Sequence, residues 1–189
     1  MDIETSTDSG NKKLNNAVAI TIVILSVFTA IMGIKSGNTA QAIDQTKADV
    51  VNKWNQYQAA RLKHDIAEGS ANTERLIAIV PGIDKAIVAA EAARTAATIE
   101  KFKASEKRYF DEAKGLTGKL EGLNKRDDQY DVAEAILSIA IAVSAIAILA
   151  EVWFVLFVGW AFGASGMTLG VAAMAGLDLY PQWLVEIFT

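Results

Sequence analysis

The stretch GWAFGASGMTLGVAAMAG, residues 159–176, carries no charge and holds five glycines. Glycine weakens an isolated helix in water, so its abundance in an apolar block needs another explanation. Five small residues follow one another at steps of four, three, four and three: Gly159, Gly163, Gly166, Gly170 and Ala173. This spacing places two GxxxG motifs on one helix face, which we call the glycine seam. Because helices in lipid associate through small residues, the seam predicts close helix packing.

The apolar residues of the chain gather at its two ends, and nearly all the charge lies between them. Residues 14–34 form an uncharged block that crosses a hydrocarbon core of roughly 30 Å at the helical rise of about 1.5 Å per residue. The block is longer than the apolar region of a signal peptide, which is about 7–15 residues. We therefore predict a first transmembrane helix over residues 14–34, after a polar tail of residues 1–13.

A second apolar block, residues 132–177, is too long for one span and predicts a turn. Glu151 is the single charge between positions 135 and 177, and a turn there gives spans over residues 132–150 and 152–179. An alternative carries the second span through Glu151 to Trp160, which buries a carboxylate at a cost of about 2.5–3.5 kcal/mol. That cost favours the turn.

Aromatic residues agree with a third span over residues 152–179. Trp153 then lies at one membrane interface, and Tyr180 and Trp183 lie at the other, as in the aromatic belts of membrane proteins. The last ten residues, 180–189, are predicted to form an interfacial tail.

The second span offers small residues as partners for the glycine seam. One face carries Ala135, Ser138, Ala142 and Ala145 at similar spacing. Another face carries Ala140, Ser144 and Ala147. Two such faces predict contacts on two sides, either within a three-helix bundle or in an interface between subunits.

Residues 35–131 form a charged, helical insert with 16 basic and 15 acidic residues. The pattern predicts helices over residues 39–68 and 83–123, a break at residues 69–72, and a short apolar helix at residues 76–80 that ends at Pro81-Gly82. One arrangement is an antiparallel, coiled-coil-like hairpin. In the alternative, the second helix runs straight into the second span as a stalk. The fold class is thus an all-α integral membrane protein.

Two stripes of the insert are predicted to contact each other in the hairpin. The stripe on the first helix is Ile43, Val50, Trp54, Tyr57 and Leu62. The stripe on the second helix consists of alanines and would permit close approach: Ala86, Ala90, Ala93 and Ala97.

Four segments of the chain resemble a known family. They are KLNNAVAIT at 13–21, GNxxQA at 37–42, WNQYQAARLK at 54–63 and YDVAEAIL at 130–137. From about residue 13 to 150 the chain is similar to the membrane proteins of domain of unknown function 4337, and its third span is richer in glycine than that family leads us to expect. The resemblance implies a bacterial inner-membrane protein with one span, a helical insert and a terminal pair of spans. It implies no activity and no catalytic residues.

Composition argues against several function classes. The chain has no cysteine and one histidine, His64, so we expect no thiolate or histidine metal cluster, no cofactor and no Ser-His-Asp triad. It has no basic block, so we expect no nucleic-acid partner. Glu134 lies at the beginning of the second span and Glu151 directly follows it, and they are interpreted as an interfacial residue and a turn residue. His64 is placed on a polar helix face, and we expect no enzyme activity.

The partners expected from the sequence are the lipid bilayer, copies of the chain and other membrane subunits. The function that fits best is a structural or accessory protein that acts through helix association. A channel or transporter component is the alternative, with Thr21, Thr29, Ser138 and Ser144 as its polar candidates. Seven lysines and arginines flank the spans on the insert side and two flank them on the other, which predicts a cytoplasmic insert and a periplasmic N-terminus.

Overall fold

The computed structural model describes residues 11–179, and this part of the chain forms three α-helices. Helix α1 spans Lys12–Ile77, α2 spans Lys85–Ala150 and α3 spans Trp153–Ala175. Each helix contains a segment that is long and apolar enough to cross a membrane. The all-α class with three candidate spans is therefore confirmed. The aromatic belt at Tyr180 and Trp183, the tail 180–189 and most of the tail 1–13 lie outside the described residues.

Helix α1 continues through the break that the sequence predicts at residues 69–72, so that prediction is wrong. Within this segment Ser70 donates to the carbonyl of Ile66 at 3.1 Å, and Thr73 donates to that of Gly69, so both hydroxyls bond along the helix. A single glycine costs a helix only about 1 kcal/mol, which neighbouring turns offset. No separate helix forms at residues 76–80, because Leu76 and Ile77 complete α1 instead.

Helix α2 begins after Asp84, whose carboxylate accepts the backbone N–H of Ala86 at 2.8 Å and caps the helix. From Lys85 it continues to Ala150 without interruption. The glycines at 115, 118 and 122 do not end it. The helix of the insert therefore runs directly into the second apolar block, as in the stalk alternative.

The chain turns at Glu151, between the end of α2 and the start of α3. The backbone of Glu151 has a φ of 51°, the left-handed conformation that single turn residues adopt. Its N–H donates to the carbonyl of Ile148 at 3.3 Å. The helix that would run through Glu151 to Trp160 does not form.

The helices contribute to two compact units, of which the first is the three-helix unit, Met1–Ala42 with Gly122–Thr189. Its described core lies where the start of α1, the end of α2 and α3 meet. Most of its buried apolar residues form two clusters. One consists of Leu25, Met32, Tyr130, Ala133, Leu137, Ala140 and Ala173, and the other of Leu14, Val18, Ala147 and Leu156.

The second unit is the helix pair, Ile43–Glu121, which contains the remaining parts of α1 and α2. Polar contacts between the two helices include those of Lys53 with Glu112, His64 with Glu106, and Glu74 with Thr95. Position numbers rise along α1 as they fall along α2, so the helices are antiparallel.

The contact face of the helix pair differs from the predicted stripe on α2 but agrees with most of the stripe on α1. Four of the five α1 residues are buried or half-buried, namely Ile43, Val50, Trp54 and Tyr57. The four stripe alanines on α2 are all exposed, and Leu62 on α1 is exposed as well, so these assignments are wrong. Thr95, Ile99 and Phe102 are less exposed and lie at steps of four and three along α2. A helix of this length repeats small residues on several faces, and the partner's position decides which face is covered.

Candidate helix-packing interface

The glycine seam of α3 lies in the core of the three-helix unit. Gly159, Gly163, Gly166, Gly170 and Ala173 are all buried. Residues beside them on α3, including Phe154 and Phe157, are exposed. The steps of four and three keep the seam on one helix face, and this face is turned toward the other two helices.

Alternate seam glycines contact different helices. A methyl group placed on Gly166 would lie 2.8 Å from Cγ of Leu137 and 3.2 Å from the carbonyl oxygen of Ala133, both on α2. A methyl group on Gly159 would lie 2.5 Å from Oγ of Ser144, also on α2. These two glycines, seven residues apart, bring α3 against α2.

The other two seam glycines bring α3 against α1. A methyl group on Gly163 would lie 3.1 Å from Cδ2 of Leu25, and one on Gly170 would lie 2.7 Å from Sδ of Met32. Both distances are shorter than carbon and sulfur atoms normally allow. The absence of a side chain at these positions is what lets α3 approach two helices along one face.

The face of α2 that contacts the seam carries Ala133, Leu137, Ala140, Ser144 and Ala147, all of them buried. The face chosen from the sequence as its first partner lies elsewhere: Ala135 is half-buried, and Ser138, Ala142 and Ala145 are exposed. Both faces carry small residues at helical spacing, so periodicity alone does not separate them. The second small-residue face, Ala140, Ser144 and Ala147, is the one that meets α3.

Two hydrogen bonds between helices reinforce the seam. Trp160 on α3 donates from Nε1 to the hydroxyl of Thr21 on α1 at 2.8 Å, and Thr21 donates in turn to the carbonyl of Ala17. Gln129 on α2 is almost fully buried and donates from Nε2 to the carbonyl of Leu169 at 2.9 Å. Such bonds hold helices together where water does not compete. The sequence signal for Gln129 is an uncharged amide just before an apolar span.

Helix α3 ends in a Schellman motif. Gly176 has a φ of 73°, and its N–H donates to Ala173 while the N–H of Leu177 donates to Ala172. Arg126 of α2 lies against this end, because a methyl group on Gly176 would meet its guanidinium nitrogen at 2.7 Å. A cation there complements the negative end of the helix dipole.

The carboxylates singled out from the sequence are apart from the seam contacts. Glu134 is exposed on α2, and Glu151 is exposed in the turn. Among residues 11–179 no three acidic, histidine or cysteine side chains form a group that fits a metal ion.

The hydroxyl residues proposed for a channel are placed differently from one another. Ser144 is buried against Gly159, and Thr21 accepts from Trp160. Thr29 bonds to the carbonyl of Leu25 on its own helix, and Ser138 is exposed. Three of the four hydroxyl groups thus lie in contacts within or between helices.

Charged and aromatic side chains join the helix pair. His64, expected on a polar face, is half-buried, and its Nδ1 lies 2.9 Å from Oε2 of Glu106 on α2. Lys53 donates to Glu112 at 2.7 Å, and this hydrogen bond and charge hold the pKa of the Glu112 carboxyl below its ordinary value.

Aromatic rings also pack across the helix pair. Trp54 and Tyr57 of α1 stand with ring centroids 5.9 and 5.5 Å from that of Phe110 on α2. The first pair is close to perpendicular, the edge-to-face geometry that aromatic pairs favour. Trp54 and Tyr57 are therefore helix-packing residues.

The match to a known family covers all three helices. It extends over residues 14–176, which is most of the chain and includes the whole glycine seam. The chain belongs to the family described as Domain of unknown function (DUF4337). The family therefore extends past residue 150, where the resemblance seen in the sequence ends. A search of curated proteins found no match, and neither did a search of solved structures.

Proposed function

We propose that the chain is a three-span inner-membrane protein that works without catalysis, as a structural or accessory component that associates through its helices. The spans are the apolar blocks 14–34, 132–150 and 152–179. Support comes from the outer surface of the three-helix unit, where large apolar side chains are exposed: Ile20, Val23, Ile24, Val27, Ile31, Ile146, Leu149, Phe154 and Phe157. A bilayer would cover this surface, whereas water would leave it unfavourably hydrated.

The observation that carries the proposal of association is the composition of the helix pair. Its buried side chains are few and mostly small among the described residues, and they include Ala60, Ala67 and Ala113. Large aliphatic side chains on α1 remain exposed, namely Val51, Leu62 and Ile66. A domain normally needs two packed layers around a core, and two helices alone supply little of one. A further helical layer, from another copy or another subunit, would cover these residues.

The spacing of the contact positions supports a coiled-coil-like hairpin for residues 35–131. On α1 the less exposed residues include positions 43, 46, 50, 53, 57, 60, 64 and 67, at steps of three and four. This repeat of seven is the pattern of helices that wind around each other with knobs-into-holes packing. The exposed face then remains available for the partner.

Within the three-helix unit, several polar groups serve helix contacts. Thr21, Gln129 and Trp160 each take part in a bond between helices. The glycine seam contacts α1 and α2 of the same chain, which supports a role in packing within one protomer. The partner would accordingly bind the insert. The distribution of lysine and arginine favours a cytoplasmic insert and a periplasmic N-terminus.

Native mass spectrometry after gentle extraction from the membrane tests this proposal. Complexes with masses that are multiples of 20.3 kDa indicate a homo-oligomer, and masses that include other subunits indicate an accessory protein. A uniform mass of one chain would overturn the proposal.

Variants then test the exposed face of α1. Leu62→Gln with Ile66→Gln should lower the fraction of assembled complex, because apolar area leaves the contact. The matched control is Asn55→Gln with Thr73→Gln. Asn55 lies seven residues before Leu62 and Thr73 lies seven residues after Ile66, so the new glutamines are on the same helix face. The control removes no large aliphatic side chain. It should assemble as the wild type does.

A further inference from the structure

The end of the helix pair, where α1 passes into α2, is apolar and exposed. Residues 76–83 read LIAIVPGI and contain no charged or hydrogen-bonding side chain. The exposed large side chains around this connection form what we call the apolar tip: Leu76, Ile77, Ile79, Val80, Ile83 and Ile87. Ile79 is the most exposed of them at 77%. A water-facing turn normally carries polar residues, so this surface requires a partner.

The tip is too small to hold a second copy of the chain by itself. A stable protein interface buries about 800 Å² on each partner, from roughly 20–30 residues a side. Six aliphatic side chains at the end of two helices provide much less. Protein interfaces also draw on aromatic side chains and on hydrogen bonds, and residues 76–83 offer neither from their side chains.

Several backbone N–H groups of the tip are hydrogen-bonded within the chain, which favours an environment with little water. Ala78, Ile79 and Val80 donate their N–H groups to the carbonyls of Glu74, Leu76 and Ile77, at 2.9, 3.4 and 3.0 Å. Pro81 has no N–H to satisfy. Unsatisfied N–H and C=O groups are what exclude most loops from lipid, and residues 78–81 contribute no unsatisfied N–H group.

Cationic side chains flank the apolar stretch. Arg75 precedes it, and Lys85 follows it after Asp84, whose carboxylate is used to cap α2. Long basic side chains at the ends of an apolar segment reach lipid phosphates while the segment contacts acyl chains. We propose that the apolar tip inserts into the interfacial layer of a lipid bilayer, to the shallow depth of about 5–10 Å typical of surface-bound segments.

A fluorescent label tests this directly. The chain has no cysteine, so one engineered cysteine carries an environment-sensitive dye at a single position. The tip variant is Ile79→Cys, and the matched control is Leu62→Cys, an exposed aliphatic position away from the tip. A third variant, Ile24→Cys, labels the proposed first span. The full-length protein is reconstituted in phosphatidylcholine vesicles that contain phosphatidylglycerol.

A nitroxide-labelled phospholipid then reports contact with acyl chains, in one preparation within the host vesicles and in another within separate added vesicles. The emission of the dye at position 79 should be shifted to the blue, and the dye should be quenched in one of the two preparations, while the dye at position 62 is not quenched. The preparation that quenches identifies which membrane the tip enters. The tip inference fails if position 79 behaves like position 62 in both preparations, including the case in which the tip is instead shielded by a protein partner.

The same measurement separates this inference from the proposed function. Loss of quenching at position 24 in the host vesicles would refute the membrane spans themselves, whatever happens at the tip. Quenching at position 24 without quenching at position 79 refutes the tip inference alone. As a second test, Ile79→Asp with Val80→Asp should abolish the lipid contact of a dye at Ile83→Cys, whereas Asn52→Asp with Asn55→Asp, at two exposed positions of α1 away from the tip, should leave it intact.

Discussion

In the three-helix unit, the seam glycines of α3 lie where neighbouring helices leave no room for a methyl group, whereas the glycines of α2 in the helix pair face open space. Gly166 and Gly170 would each place a Cβ atom within 3 Å of a neighbouring side chain. Gly115 and Gly118 would meet nothing within 4 Å among the described residues. The same residue type thus serves close packing in one unit and makes no such contact in the other.

The two units also differ in what joins their helices. Small side chains and two hydrogen bonds between helices hold the three-helix unit, while ion pairs and aromatic rings join the helix pair. This difference is expected if the first unit lies in lipid, where burial of apolar surface provides no drive for helices to associate. In water, charged side chains hold their positions at little cost because their ends remain hydrated.

The largest effect is expected when large side chains replace glycines of the seam. Gly163→Ile with Gly170→Ile should destabilise the three-helix unit by about 1–3 kcal/mol at each site, because the new side chains overlap Leu25 and Met32. Thermal unfolding in detergent, followed by circular dichroism and by size, measures the loss. Gly115→Ile with Gly118→Ile is the control, and it should fold normally. Wild-type stability of the seam variant would contradict the role of the seam.

A smaller substitution, glycine to alanine, should change the free energy of unfolding in opposite directions in the two units. Gly166→Ala should lower the free energy of unfolding by about 1 kcal/mol or more, because a methyl group is forced against Leu137 and the Ala133 carbonyl. Gly118→Ala should raise it by roughly 0.5–1 kcal/mol, since alanine favours the helix and meets open space. Both changes bring the same helix propensity, so the difference between their unfolding midpoints isolates packing. Equal shifts would show that the seam is not tightly packed.

The smallest effect concerns the ion pair of the helix pair. The pKa of Glu112 in the folded chain is below its ordinary value. The pairing of Glu112 with Lys53 therefore stabilises the folded chain at pH values above the ordinary pKa of the carboxyl group. This contribution is lost as the pH falls through the lowered pKa. The gap in unfolding midpoint between wild type and Lys53→Met should therefore be present at neutral pH and close in acid.

The exposed pair of Arg94 and Glu91 supplies the control for this titration. Its side chains are largely hydrated, so Arg94→Met should change the midpoint little at any pH. A gap for Lys53→Met that stays constant with pH would show that Lys53 acts through its contact with the Tyr109 ring, 5.6 Å away, and not through the carboxylate.

Much of the architecture is determined by the sequence alone. The three apolar blocks, the turn at Glu151 and the membership of the seam all follow from charge, length and helical period. These properties depend on residues close together along the chain. The 3.6-residue period places residues on a common face whatever they later contact.

The tertiary structure alone decides which faces meet. On α2, small residues recur on two faces, and only the positions of α1 and α3 select the one through Ala140 and Ser144. The stripe alanines of α2 are exposed, because the position of α1 selects another face of α2. Gly69 stays helical, because packing over a long helix outweighs the local preference of one residue. The division of the seam glycines between α1 and α2 likewise depends on the positions of all three helices. Helical periodicity determines which residues share a face, but it does not determine which neighbouring helix covers each of them.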